Sequence, residues 1–338
     1  MQTLKLALFF MTFISLNACH TSSSISKDEK PKAALEEDIP EAIDKIVKTT
    51  EKNICNPNWL GSPVWQTFLS EVQSPEMTAL NAEKFAYAFN RKAKALPFTH
   101  FYLIPTQVNR AKKVKKAPFE LKEINPTTAQ LTIRSFAADA AGMSKLIAKI
   151  QAATYQNLVI DLRGNHGGTL DAAVILGQFL THESIDAGVY ISRKWYEKNA
   201  DYPTQLDIKK FPFLTDMSYH GFGKTLAKEE AFRMVLPAHQ RPTFQGKIVV
   251  LTDRMTASTC EPVVDLLQKI KRATIVGEKT AGAMLSGRFF KISPSLKLFL
   301  PVADYITGDG KKIDKIGVTP DVIVAPEEAL AYALEHVF

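Results

Sequence analysis

The chain has 338 residues, 46% of them hydrophobic and 23% charged, with a formal net charge of +7. That balance excludes a disordered chain and supplies enough apolar side chains for one large domain or two modest ones. The densest basic run, "RAKKVKK" from Arg110 to Lys116, lacks interleaved aromatic residues and any nucleic-acid motif, so a solvated loop and no nucleic-acid partner are expected.

In chain order, "MQTLKLALFFMTFISLNAC" places Lys5 before an apolar run from Leu6 to Leu16, then a small residue and Cys19. The run is too short to span a bilayer and reads as an export signal over residues 1–18. "LNAC" resembles a bacterial lipobox, which implies cleavage before Cys19, lipidation of its thiol and a mature protein anchored in the cell envelope. A plain secretory peptide, leaving a secreted protein, is the alternative. Residues 19–39 are too polar to pack and read as a tether.

Residues 40–125 read as a helical N-terminal region, interrupted at "NPNWLGSP". Residues 126–338 alternate strands and helices. "LTIRSF", "NLVIDL", "AGVYISR", "GKIVVL" and "ATIVGE" are expected strands, and the continuous apolar "NLVIDL" suits a strand buried on both faces. "AGMSKLIAKIQAA", "TLDAAVILGQFLTH", "EPVVDLLQKIKR" and "PEEALAYALEHVF" are expected helices, the last with Pro326 at its start. "GRFFKIS" and "LKLFLPV" suggest a hairpin, and residues 194–245, without clear periodicity, an insertion or lid. The alternation predicts an α/β fold with a mainly parallel sheet, whose ligands bind beyond the carboxyl ends of the strands.

Two strand-to-helix turns carry chemistry-bearing residues. "TASTCEP" offers Thr256, Ser258, Thr259 and Cys260 as nucleophiles, yet "STCE" is equally a capping box with Ser258 at the N-cap and Glu261 at N3. "RGNHGG" offers Gly167 and Gly168, whose backbone N–H groups can face an anion, or simply a tight turn. The residues of "TASTCEP" alone do not choose among its four candidates. After Cys19 only Cys55 and Cys260 remain, which permits one disulfide but no framework; no cluster has metal-ligand spacing, and no cofactor is expected.

Taken in order, "LVIDLRGNHGG", "VLTDRMTASTCEP", "IVGEKTAGA" and "IGVTPDV" resemble the tail-specific, or C-terminal-processing, serine peptidases, over roughly Leu131 to Val324. The resemblance implies a core of the crotonase and Clp-protease type, a peptide or protein substrate, Ser258 as nucleophile, and the backbone N–H groups of Gly167 and Thr259 as oxyanion donors. Ala283 stands where the bacterial processing branch has its lysine base, and Lys279, four residues earlier, is a weaker replacement. The tricorn-core branch instead takes a histidine from an upstream "SH" pair, which Thr99 and His100 of "LPFTHFYL" resemble. Its downstream glutamate is matched by Asp314, while Asp321 of "PD" reads as structural and His166 as a rival base or pocket-lining residue. His182, His220, His239 and His336 fit no motif and are expected on the surface.

The interval between His100 and "LTIRSF" is too short for a PDZ domain, so substrate selection falls to the helical region and the 194–245 segment. The reading of a different class is a catalytically impaired relative that binds a ligand or peptide, since Thr99 and Asp314 both depart from the branch pattern. Oligomeric state is not legible.

Overall fold

The computed structural model describes residues 38–106, 116–137 and 140–338. The expected export signal, Cys19, nearly all of the tether and most of the basic run lie outside the described residues.

Prolines open the N-terminal helices. Pro40 and Pro63 lie in the first turns of helices Ile39–Asn53 and Pro63–Val72, where the missing N–H has no intrahelical partner to lose. Asp38, Ser62 and Asn81 cap these two helices and Ala82–Ala93 by accepting backbone N–H bonds. Their apolar faces close over a cluster that includes Ile43, Trp65, Phe68, Phe85 and Phe89. Helical structure does not run to residue 125, however. Strand β1 (Tyr102–Pro105) and strand β2 (Phe119–Asn125) lie within the expected helical region, each recruited by a sheet built mostly from later residues.

The remaining strands are β3 (Thr128–Ile133), β4 (Asn157–Asp161), β5 (Ile185–Ser192), β6 (Ala231–Leu236), β7 (Lys247–Thr252), β8 (Thr274–Gly277), β9 (Ser286–Lys291), β10 (Leu296–Ile306) and β11 (Val322–Ile323). Among the described residues they form two sheets. The first has the order β11-β8-β7-β4-β3-β2 and is parallel except for the β2–β3 pair. The second, β1-β10-β5-β6 with β9 also on β10, is antiparallel, and its β9–β10 pair is the expected hairpin.

The continuous apolar runs of β4 and β7 follow from burial on both faces. Leu158, Ile160, Ile248 and Val250 enter the main core, whereas Val159, Val249 and Leu251 meet Ala329 and Ala333 of helix Ala329–His336. That helix begins three residues beyond Pro326, which sits in the preceding turn. Part of the 194–245 segment is core rather than insertion: β6 buries Ala231, Phe232, Met234 and Leu236. The same segment contributes helix Tyr219–Lys228, which returns over the second sheet.

Candidate active site

The turn after β7 and the first residue of the helix that follows hold the four candidate nucleophiles, and packing separates them. Thr256 is buried, donating its hydroxyl to the Leu162 carbonyl at 3.0 Å. Thr259 donates its own to the Gly168 carbonyl at 2.8 Å. Cys260 is buried, its Sγ 3.6 Å from the Asn165 carbonyl, and burial pushes its thiol far above the ordinary range. Cys55 is buried too, and the two cysteines are unpaired. Ser258 is half-buried, and its hydroxyl makes no hydrogen bond to another described residue.

Ser258 sits at φ 57°, a left-handed conformation uncommon for a residue with a Cβ. Half of the expected capping box accounts for its hold. Glu261 accepts from the Ser258 N–H at 3.0 Å, but the helix starts at Cys260 with Thr259 as N-cap, so the Ser258 hydroxyl caps nothing. The fully buried Glu261 carboxylate also accepts from Thr280 Oγ1 and Gly282 N at 2.7 Å and from Ala283 N at 2.8 Å. One side chain thereby ties the Ser258 turn to "TAGA". Burial still pushes the Glu261 carboxyl above its usual range.

The glycine pair packs directly against this turn. A Cβ on Gly167, at φ 89°, would fall 2.6 Å from the Ser258 Cβ. Its N–H, expected as an oxyanion donor, is donated instead to Asn165 Oδ1 at 2.8 Å. A carboxamide accepting from a backbone N–H two residues on is an Asx-turn, and it turns this N–H toward its own loop. Gly168 lines the same cavity as Ser258 and Thr259, and neither its N–H nor that of Thr259 is donated to another described residue.

The segment leading into β1 lines the same cavity through His100. His100 is also left-handed, at φ 59°, and half-buried, with its ring 5.6 Å from that of Phe299. Asp314, fully buried, receives Thr99 Oγ1 at 2.5 Å, Thr99 N at 3.2 Å and Met284 N at 3.0 Å. Thr99 Oγ1 lies 2.9 Å from His100 Nδ1. The hydroxyl spends its single proton on the carboxylate, so the remaining bond runs from Nδ1–H to Thr99 and leaves the Nε2 lone pair free. Burial lowers the His100 imidazolium to about 4 and raises the Asp314 carboxyl to about 6. At neutral pH the line therefore holds a charged Asp314 and a neutral His100.

His100 and Ser258 face one cavity of approximately 540 Å³, with no hydrogen bond between the two side chains. Such contacts often tighten only around substrate. Lys279 and His166 are exposed and lie outside the cavity lining. His239 is half-buried rather than on the surface, and its Nδ1 accepts from Arg241 N at 3.1 Å. Asp321 accepts from Ile275 N at 2.8 Å and braces β8, a structural position. Three groups of the site were not singled out from the sequence as functional: Glu261 as a clamp, Asn165, and the cations Lys52, Arg193 and Arg288 that line the cavity. Among the described residues, no group of acidic, histidine and cysteine side chains is arranged to hold a metal ion, and no helix is long and apolar enough to cross a membrane.

Ser258 on its strand-to-helix turn, Gly168 and Thr259 with their undonated N–H groups, and the His100 end of a carboxylate–hydroxyl–imidazole line all meet at this one cavity. The family model described as "Peptidase family S41" matches residues 127–324, and the chain belongs to that family. It is 28% identical over 205 residues to a carboxyl-terminal-processing protease of Picosynechococcus sp., covering 60% of this chain and 40% of that protein. A carboxy-terminal-processing protease of Bartonella bacilliformis is 27% identical over 207 residues, covering 60% and 39%. The chain thus spans about two fifths of the length of these relatives. In fold it is similar to a lipoprotein from Streptococcus agalactiae (TM-score 0.57, 16% identity, 88% of this chain and 97% of that one). The photosystem II D1 C-terminal processing protease is similar as well (TM-score 0.51, 14% identity, 87% and 94%).

Proposed function

We propose that this member of the S41 family is a serine-type peptidase that cleaves peptide bonds through an acyl-enzyme on Ser258. The observation that carries the reading is the Asp314–Thr99–His100 line ending on the cavity that also exposes Ser258. His100 Nε2 takes the Ser258 proton as Oγ attacks the scissile carbonyl carbon. The oxyanion is received by the N–H groups of Thr259 and Gly168, the second replacing Gly167, whose N–H is held by Asn165. Collapse of the tetrahedral intermediate breaks the C–N bond, and the imidazolium returns the proton to the leaving amine. Water repeats the sequence on the ester and frees Ser258. Asp314 acts through the Thr99 hydroxyl, which bridges to the imidazole, an arrangement of the tricorn-core kind. The scheme needs no cofactor.

A fluorophosphonate probe tests these assignments. Wild type is expected to label, and labelling is lost in Ser258→Ala and slowed by about 10²-fold or more in His100→Ala and Thr99→Ala, with Thr99→Ser restoring much of the rate. Labelling that survives Ser258→Ala, or that is lost only in Lys279→Ala, overturns the nucleophile or the base. On the sequence pattern at Cys19 we further propose lipid anchoring in a bacterial envelope; unchanged membrane fractionation of Cys19→Ser sinks that part.

A further inference from the structure

The charged side chains that line the cavity of Ser258 and His100 are all of one sign: Lys52, Arg193 and Arg288, with no aspartate or glutamate among the lining residues. They come from three separate elements. Lys52 lies in the last turn of helix Ile39–Asn53, Arg288 lies on β9, and Arg193 opens the short helix after β5. Arg193 is fixed in place: its Nε bonds Glu197 at 2.7 Å, and its Nη1 bonds the carbonyls of Glu51 at 2.7 Å and Ile54 at 3.3 Å. It therefore locks the end of the helix that presents Lys52. Arg288 lies 4.5 Å over the Phe290 ring and has Asn53 Oδ1 at 3.5 Å, so its orientation is also restrained. Glu197 offsets part of the Arg193 charge, whereas neither Lys52 nor Arg288 is within ion-pair distance of a carboxylate among the described residues.

Lys52, Arg193 and Arg288 share one cavity and repel one another, and no carboxylate among the lining residues offsets that repulsion. The same arrangement concentrates the field in the cleft and favours an anionic ligand. The anionic group of a peptide is the carboxylate, and a guanidinium already held by its neighbours receives it with little further ordering. We propose that Lys52, Arg193 and Arg288 form a carboxylate-recognition wall that selects peptides carrying a negative group close to the scissile bond. The inference rests on the peptidase reading in that the wall belongs to the same cavity. A chain-terminal carboxylate and an acidic side chain share this chemistry.

Binding in the Ser258→Ala protein separates the wall from the chemistry. Fluorescent peptides of one sequence are compared by anisotropy as free acid against C-terminal amide, and with glutamate against glutamine at each internal position. At least one carboxylate form is expected to bind about tenfold more tightly than its neutral counterpart, with the preference shrinking as salt rises. Adding Lys52→Gln and Arg288→Gln sharply reduces the preference, leaving only what Arg193 supplies, and Arg288→Lys keeps more of it; thermal unfolding of each variant verifies that it is folded. A preference for the free acid identifies the chain terminus, and one for internal glutamate identifies a side chain. Equal binding of charged and neutral peptides, or a preference that is undiminished in the folded double variant, overturns the proposal. Fluorophosphonate labelling of wild type reports the nucleophile independently of either result.

Discussion

At the scale of single residues, burial sets two opposed shifts along one line of hydrogen bonds. In the proposed mechanism His100 must be neutral to accept a proton, and Asp314 must be ionised to hold the Thr99 hydroxyl toward it. The imidazole, lowered to about 4, is already neutral at pH 5, whereas the carboxyl, raised to about 6, still takes up protons there. Activity is thus expected to rise with pH through about 6 because Asp314 ionises. In Asp314→Asn the plateau of kcat/KM should fall by about 10²-fold or more and the acid limb should move down toward the His100 value. A limb that keeps its position in Asp314→Asn would show that a different pair titrates.

Backbone strain gives a second test at this scale. Ser258 and His100 both carry positive φ, and each such position costs on the order of 1–3 kcal/mol, sustained by the surrounding contacts. Glycine accepts this conformation without a Cβ clash. Ser258→Gly should therefore be more stable to denaturant than Ser258→Ala by about 1 kcal/mol, although both lack the hydroxyl. Equal midpoints and slopes would mean that the turn relaxes when the side chain is cut back.

At the scale of elements, the turns rather than the strands hold the site. Glu261 lies in the first turn of helix Cys260–Lys269 and accepts from two backbone N–H groups of the "TAGA" loop, the Thr280 hydroxyl and the Ser258 N–H. Glu261→Gln retains the shape but sets an amide donor against a backbone donor. That change should lower stability by about 1–3 kcal/mol and slow fluorophosphonate labelling, because the Ser258 turn loses its clamp. Undiminished labelling would leave Glu261 a purely structural residue. The sequence pattern "STCE" pointed to contact between positions 258 and 261, and half of that capping box exists. It carried no sign that the carboxylate also reaches residues 280–283, since those contacts depend on the packing of two separate turns.

At the scale of the whole molecule, the N-terminal helices and the later core share one hydrophobic cluster: Phe85, Phe89 and Phe98 pack with Leu296, Leu298 and Leu300 of β10. Thr99 and His100 follow directly from Phe98 and precede β1, which pairs with β10, so this cluster positions the His100 side of the cavity. Phe98, 1% exposed and stacked on Trp59 at 4.7 Å, joins this cluster directly to Thr99. Phe98→Ala should destabilise by about 3–5 kcal/mol and slow probe labelling in the folded fraction, although the ring lies outside the cavity lining. Loss of stability with an unchanged labelling rate would separate the cluster from the site.

By itself, the order and spacing of four motifs carried the family, the α/β core and the two turns that face each other, because those features are written in local backbone requirements and buried apolar runs. Periodicity could not show β1, β2 or β6. "YLIP" is too short, "FELKEIN" is charged on its open face, and "AFRMVL" is interrupted by Arg233, so each becomes a strand only through the neighbour it pairs with. Tertiary structure alone showed that the side chains of Thr256, Thr259 and Cys260 are engaged by backbone carbonyls while the Ser258 hydroxyl is not, that Asn165 takes the Gly167 N–H, and that Asp314 reaches Thr99 across 215 positions of sequence. The reason is physical: a strand run or a cap is settled by neighbours a few residues away. The direction of an N–H and the protonation of a buried carboxyl are settled by whatever distant segment closes over them.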